Sequence, residues 1–184
     1  MSNTDKWARA IAVLSLLVSC GTLFFSTFEP ASIRVGVGRH MLVTGRPRIG
    51  VLCTLVNNGA RSAIMQSGTL QWDNPAAEFQ LTMVSTKLEE WTYDESGQQK
   101  DTSPTTFTLV SPIAIKGRDQ ATAILWFTAN TSFVYSPGEH KLLLKLDGGA
   151  DGMWQTKLAA TLSTDDVRTA KNPNSLVPIR VSVE

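Results

Sequence analysis

The sequence predicts an all-β protein, an antiparallel β-sandwich of eight or nine strands, carried behind one N-terminal transmembrane helix. Three observations predict it. A run of 19 uncharged residues from Ala10 to Phe28 ends at Glu29-Pro30. As a helix that run would extend about 28 Å, close to the hydrocarbon thickness of a bilayer. Beyond Pro30 the apolar residues recur at every second position, the period of a half-buried strand rather than of a helix. Turn-forming clusters such as Asn57-Asn58-Gly59 and Asp147 to Gly152 punctuate that pattern at strand-length intervals.

The N-terminal segment has the flanks of a signal-anchor. Lys6 and Arg9 stand on one side, Trp7 precedes the apolar run, and Phe24, Phe25 and Phe28 close it as membrane-anchoring aromatics. The chain is therefore expected to divide into a cytoplasmic tail 1–9, a transmembrane helix 10–28 and a folded domain 31–184. Two processed forms compete. Lys6, Arg9 and Ile11 to Val18 also match a cleaved signal peptide, although no small-x-small site follows Phe28. Leu17-Val18-Ser19-Cys20 resembles the bacterial lipobox, but Leu23, Phe24, Phe25 and Phe28 stand where a lipoprotein has a polar tether. The uncut anchor is favoured, with lipidation of Cys20 left open. Arg34, Arg39, Arg46 and Arg48 pull orientation against Lys6 and Arg9. A long folded segment translocates largely regardless of charge, so the expected topology is N-terminus inside and domain periplasmic or extracellular.

The strands follow in order. Ile49, Val51, Cys53 and Leu55 share one face, and Ile64, Gly68, Leu70 and Trp72 share the next, with Asn57-Asn58-Gly59 expected to join the two as a hairpin. Phe79, Leu81 and Met83 continue the alternation, then Phe107, Leu109, Ile113 and Ile115. Ile124 to Phe127 is apolar on both faces and reads as a central strand. Leu142, Leu144 and Leu146 alternate with Lys141 and Lys145, and Trp154, Leu158 and Leu162 with Gln155 and Lys157, around the turn at 147–152. Val177, Ile179, Val181 and Val183 make a final strand, expected at an edge because Pro178 cannot donate to a ladder. One short helix is expected over Asp165 to Ala170, capped by Thr164, and Tyr93 to Thr106 reads as a long loop.

The segments CTLVNNGARSAIMQSGTLQW, SPIAIKGRDQATAILWF and SPGEHKLLLKL resemble the immunoglobulin-like sandwiches of membrane-anchored bacterial extracytoplasmic proteins. The likeness covers 31 to 184 at the level of architecture and implies no functional residues. Cys53 is the one Cys outside the apolar run, so the sandwich is expected to hold by burial alone.

The chemistry is sparse. With 184 residues and a net charge of +1, the chain holds one domain and no global basic field that would favour nucleic acid. His40 and His140 have no nucleophile motif beside them. Adjacent Glu89 and Glu90 point to opposite faces of a strand, and Asp165 and Asp166 suit a helix start. Cys53 and Met83 fall on inward faces and are core filler rather than copper ligands, while Met65 is expected to point away. Asp147 and Asp151 lack the rest of a calcium loop, and Val35 to Gly38 lacks the helix of a phosphate cradle. Asn130-Thr131-Ser132 is a glycosylation sequon. The non-random feature is charge: between Glu29 and Asp73 lie five Arg and no acid, then seven acids fall between Asp73 and Asp101. Arg34, Arg39, Arg46 and Arg48 are therefore the expected contacts with membrane lipid or a protein partner. The expected function is a non-catalytic interaction or assembly module without cofactor, an accessory subunit of a membrane complex. A solute-binding domain using Trp91 and Trp126 as exposed platforms is the alternative.

Overall fold

The computed structural model describes residues 3–85, 107–109, 112–129, 133–172 and 175–184. Helix α1 (Asn3–Thr27) forms from the apolar run and extends two turns upstream of it. Its hydroxyls bond to the helix's own backbone, which lets them sit in an apolar surrounding: Ser19 Oγ donates to Ser15 O at 2.8 Å and Thr22 Oγ1 to Val18 O at 2.7 Å. Lys6–Thr27 is long and apolar enough to cross a membrane, and none of that window is buried against the rest of the chain.

Among the described residues eleven strands follow: β1 (Ile33–Thr44), β2 (Arg48–Asn57), β3 (Ala63–Met65), β4 (Ser67–Trp72), β5 (Ala77–Ser85), β6 (Phe107–Leu109), β7 (Ile113–Ile115), β8 (Gln120–Ala129), β9 (Gly138–Asp147), β10 (Met153–Leu162) and β11 (Leu176–Val183). A short helix, α2 (Thr164–Ala170), connects β10 to β11. Eight strands pair antiparallel in the order β4-β9-β10-β11-β1-β2-β8-β5, and β5 pairs back onto β4. The sheet is a closed eight-stranded barrel, not the expected two-sheet sandwich. Two devices let it curl shut. Bulges interrupt β1 between Val37 and Met41 and β5 between Leu81 and Met83. β5 also divides its outer edge, pairing 77–80 with β4 and 83–85 with β6. β3 and β7 form a separate two-stranded ribbon.

The period-two residues fill the barrel. Ile49, Leu55, Leu70, Phe79, Leu125, Phe127, Leu144, Leu146 and Leu158 are each no more than 1% exposed, which suits an eight-stranded barrel whose interior is just wide enough for side chains. Ile124 to Phe127 on β8 is buried on both faces, as its sequence implies. The hairpin around 147–152 is β9–β10.

Four further expectations are corrected. Asn57-Asn58-Gly59 does not turn a hairpin, because β2 pairs with β1 and β8 and never with β3 or β4. β11 is no edge: it pairs with β1 over 176–180 and with β10 over 181–183. Pro178 is tolerated because its stretch of β11 has a strand on one side only. The cap of α2 is Ser163, one residue earlier than expected, in a reciprocal capping box with Asp166. The strand expected over 107–115 is two strands in different sheets. The readings made for Glu89, Glu90, Trp91, the loop 93–106 and the sequon at Asn130 lie outside the described residues.

Candidate functional site

Three places on the barrel gather polar chemistry. The first is the corner where α1 leaves. Asn57, 1% exposed, is its hub. Its Oδ1 accepts from Ser32 N and Gly59 N, both at 3.1 Å, and its Nδ2 donates to Arg61 O at 2.7 Å and Lys116 O at 3.1 Å. A Cβ on Gly59 would fall 1.8 Å from Pro30 O, so only glycine lets the chain after α1 lie against this loop. Arg118, at φ 55, reaches back: its Nη2 donates to Phe25 O at 2.6 Å and stands 3.7 Å from Glu29 Oε2. The guanidinium thereby caps the last turn of α1 and ties it to the β7–β8 loop.

The second place is the opposite end. His140 on β9 points inward and is 2% exposed. Trp72 Nε1 donates to His140 Nδ1 at 3.2 Å, which puts the ring proton on Nε2, and Nε2 donates to Ser136 O at 2.8 Å. Asp73 Oδ1 lies 3.9 Å from Nδ1. His140 packs on Trp72 with ring centroids 4.8 Å apart, and Trp72, Phe79, Phe133 and Tyr135 pack on one another at 5.0 to 6.4 Å, edge-to-face except for the tilted Trp72–Phe79 pair. Tyr135 OH donates to Arg48 O at 3.3 Å, and burial pushes that phenol well above its ordinary range. The cluster plugs the barrel end, and both His140 nitrogens are spent on holding it.

The third is the outer wall formed by β9, β10, β11 and β1. Alternation puts Leu142, Leu144, Leu158, Ile179 and Val181 inside, so Lys141, Lys145, Lys157 and Arg180 project outward. Lys157 lies opposite Leu143, making Lys141 and Lys145 its diagonal neighbours at about 7–8 Å. Arg180 pairs in register with exposed His40, and Arg34 and Arg39 stand exposed along β1. Among the described residues no ion pair engages any of these six cations. Between Lys141 and Lys157 a shallow depression of about 390 Å³ is lined by Leu143, Gln71, Asp73 and Glu184.

The sequence-predicted contact residues are thus divided. Arg34 and Arg39 lie on this wall, but Arg46 and Arg48 sit at the β1–β2 turn, about 35 Å of strand away from the end where α1 leaves. Closeness in sequence to the apolar run did not mean closeness in space, because β1 runs straight away from it. Trp7, Phe24, Phe25 and Phe28 are exposed on or beside α1. Cys53 lies inside the barrel, where burial pushes its thiol up to about 12; Met65 is buried too, and Met83 is half-buried. Trp126 is no exposed platform: at 6% exposure it lies over Gly50, where a Cβ would come 2.8 Å from its Cζ3. Among the described residues no group of three His, Cys, Asp or Glu could hold a metal ion. Lys141, Lys145, Lys157 and Arg180 were missed as a site because 39 residues separate the first from the last. The outward alternation of each strand was their only signal. No protein-family model matches the chain, and no curated protein matches it.

Proposed function

We propose that this chain is a single-pass membrane protein, N-terminus inside, whose extracytoplasmic barrel is a non-catalytic protein-interaction module serving as an accessory or assembly subunit of a membrane complex. The observation that carries this reading is how the two parts use their surfaces. α1 turns its apolar side chains outward, Leu14, Leu17, Phe24 and Phe25 each more than half exposed. Lipid is the solvent that such a surface matches. The barrel spends its interior on packing, so its outer wall and ends are what it offers for recognition. The membrane lipid contacts in this reading are α1 and the basic side chains nearest its exit, Arg34 and Arg118.

The test uses the full chain in its own membrane. Alkaline carbonate should leave it in the pellet, and photo-cross-linkers placed singly at exposed Arg39, Glu78 and Gln120 should give a discrete protein adduct from at least one position. Release into the supernatant refutes the anchor. Retention with no adduct from any position refutes the interaction module.

A further inference from the structure

The wall of β9, β10, β11 and β1 is where the tertiary structure concentrates charge that the sequence scatters, and the geometry points to a specific occupant: an extended acidic-aliphatic segment of a partner protein. The inference rests on the interaction-module reading and names the partner's chemistry. Six cations gather along this wall: Arg34, Lys141, Lys157 and Arg180 are exposed on its outer face, Lys145 is half-buried on the same face, and exposed Arg39 lies in the bulge of β1 beside them. The acids on that side are few and peripheral: Glu139 and Asp147 end β9, Glu184 lies beside Lys157 through Glu184 N to Lys157 O at 3.1 Å, and Asp73 borders the depression. Diagonal neighbours on a sheet lie within reach of long side chains, so Lys157 repels both Lys141 and Lys145, and no carboxylate is paired to any of the three. An anionic partner relieves that repulsion.

Three features favour a polypeptide over other polyanions. Leu143 lies at the centre of the lysine triangle, with Ala159 across from Lys141, so the cations are spaced by apolar side chains that a phosphodiester backbone could not use. β11 pairs with β1 only up to His40 and with β10 only from Leu158, leaving Ile33–Arg39 and Met153–Thr156 each with one edge that no strand pairs among the described residues. Unpaired strand edges take up extended polypeptide through main-chain hydrogen bonds. The inward residues along that stretch, Ile33, Val35, Val37, Trp154 and Thr156, are only half-buried, unlike the rest of the lining. A lipid headgroup fits poorly, because Arg39 lies about 20 Å of strand beyond the start of β1, and exposed charges are screened over about 10 Å.

The experiment takes the full chain in non-ionic detergent and measures fluorescence anisotropy of a labelled alternating Glu-Leu heptapeptide at low and physiological salt. Parallel arms use the Lys-Leu counterpart, a single-stranded oligonucleotide and phosphatidylglycerol vesicles. The Glu-Leu peptide should bind and the Lys-Leu peptide should not. The quadruple variant K141Q/K145Q/K157Q/R180Q should weaken binding by about thirtyfold, while R46Q/K171Q at the far end changes it less than twofold. Five of the six substitutions are at exposed strand, turn or helix-end positions and Lys145 is half-buried on the outer face, and an unchanged thermal melt checks that both variants are folded. Absence of peptide binding, equal loss in the two variants, or tighter binding to oligonucleotide or vesicle than to peptide each overturns the inference. A chain that fails here yet still yields a discrete cross-linked adduct overturns this inference alone and leaves the module reading standing.

Discussion

Replacing Asn57 by Ala should release the corner that joins α1 to the barrel, and the size of the effect follows from counting what the amide holds. Its Oδ1 serves two backbone donors, Ser32 and Gly59, and its Nδ2 serves the carbonyls of Arg61, Lys116 and Ile115. Asn57 itself is 1% exposed, so all five backbone groups lose their partner together, the two buried ones at Gly59 and Ile115 without water to replace it. At about 1 kcal/mol for each net hydrogen bond, with some relaxation of the loops, the loss is about 3 to 4 kcal/mol. For a chain of this size that corresponds to a fall in Tm of roughly 10 °C. The assay is thermal unfolding followed by near-ultraviolet circular dichroism, which reports barrel packing rather than the helicity of α1. Asn58→Ala, next door and exposed, is the control and should shift stability by less than about 0.5 kcal/mol. If both variants melt together, Asn57 is not the hub described, and the close approach of Pro30 to Gly59 must hold the corner by itself.

Cys53 should resist thiol reagents in the native protein and be labelled only with denaturant, read in a Cys20→Ser chain so that the thiol on α1 does not contribute. The Cys53 thiol is raised from 9.0 to about 12, so its contribution to stability is full below pH 9 and declines as pH rises from 9 toward 12; a denaturant midpoint that rises over that range would contradict this. Gly50→Ala should cost about 1 to 3 kcal/mol by pushing the Trp126 ring off its seat, read as a change in tryptophan emission together with a lower urea midpoint, and unchanged emission would show that the ring is free to move aside. Arg118→Ala removes a half-exposed contact and should leave the barrel's Tm within about 2 °C, while limited proteolysis between Phe28 and Ser32 speeds up several-fold. Ser163→Ala should cost about 1 kcal/mol through the lost cap of α2.

What could be read in the sequence is what neighbouring residues decide among themselves. An apolar run of 19 residues closed by Glu29-Pro30 sets the extent of a helix, and alternation along 49–55 or 142–146 sets which side chains face inward, because pleat and helical turn are properties of a few consecutive residues. The β9–β10 hairpin was legible for the same reason, since its turn and both its strands are contiguous. A closed barrel and a two-sheet sandwich ask for the same alternation, so the choice between them was not written in any segment. It was made by β5 pairing with β4, β6 and β8 and by bulges that only a curved partner strand rewards. Asn57 carries the signature of a turn, yet the packing of three distant loops made it a buried hub. The basic wall is the clearest case. Arg34 and Arg39 belong to it, Arg46 and Arg48 do not, and Lys157 joins Lys141 because sheet register, a long-range property, decides which outward side chains become neighbours.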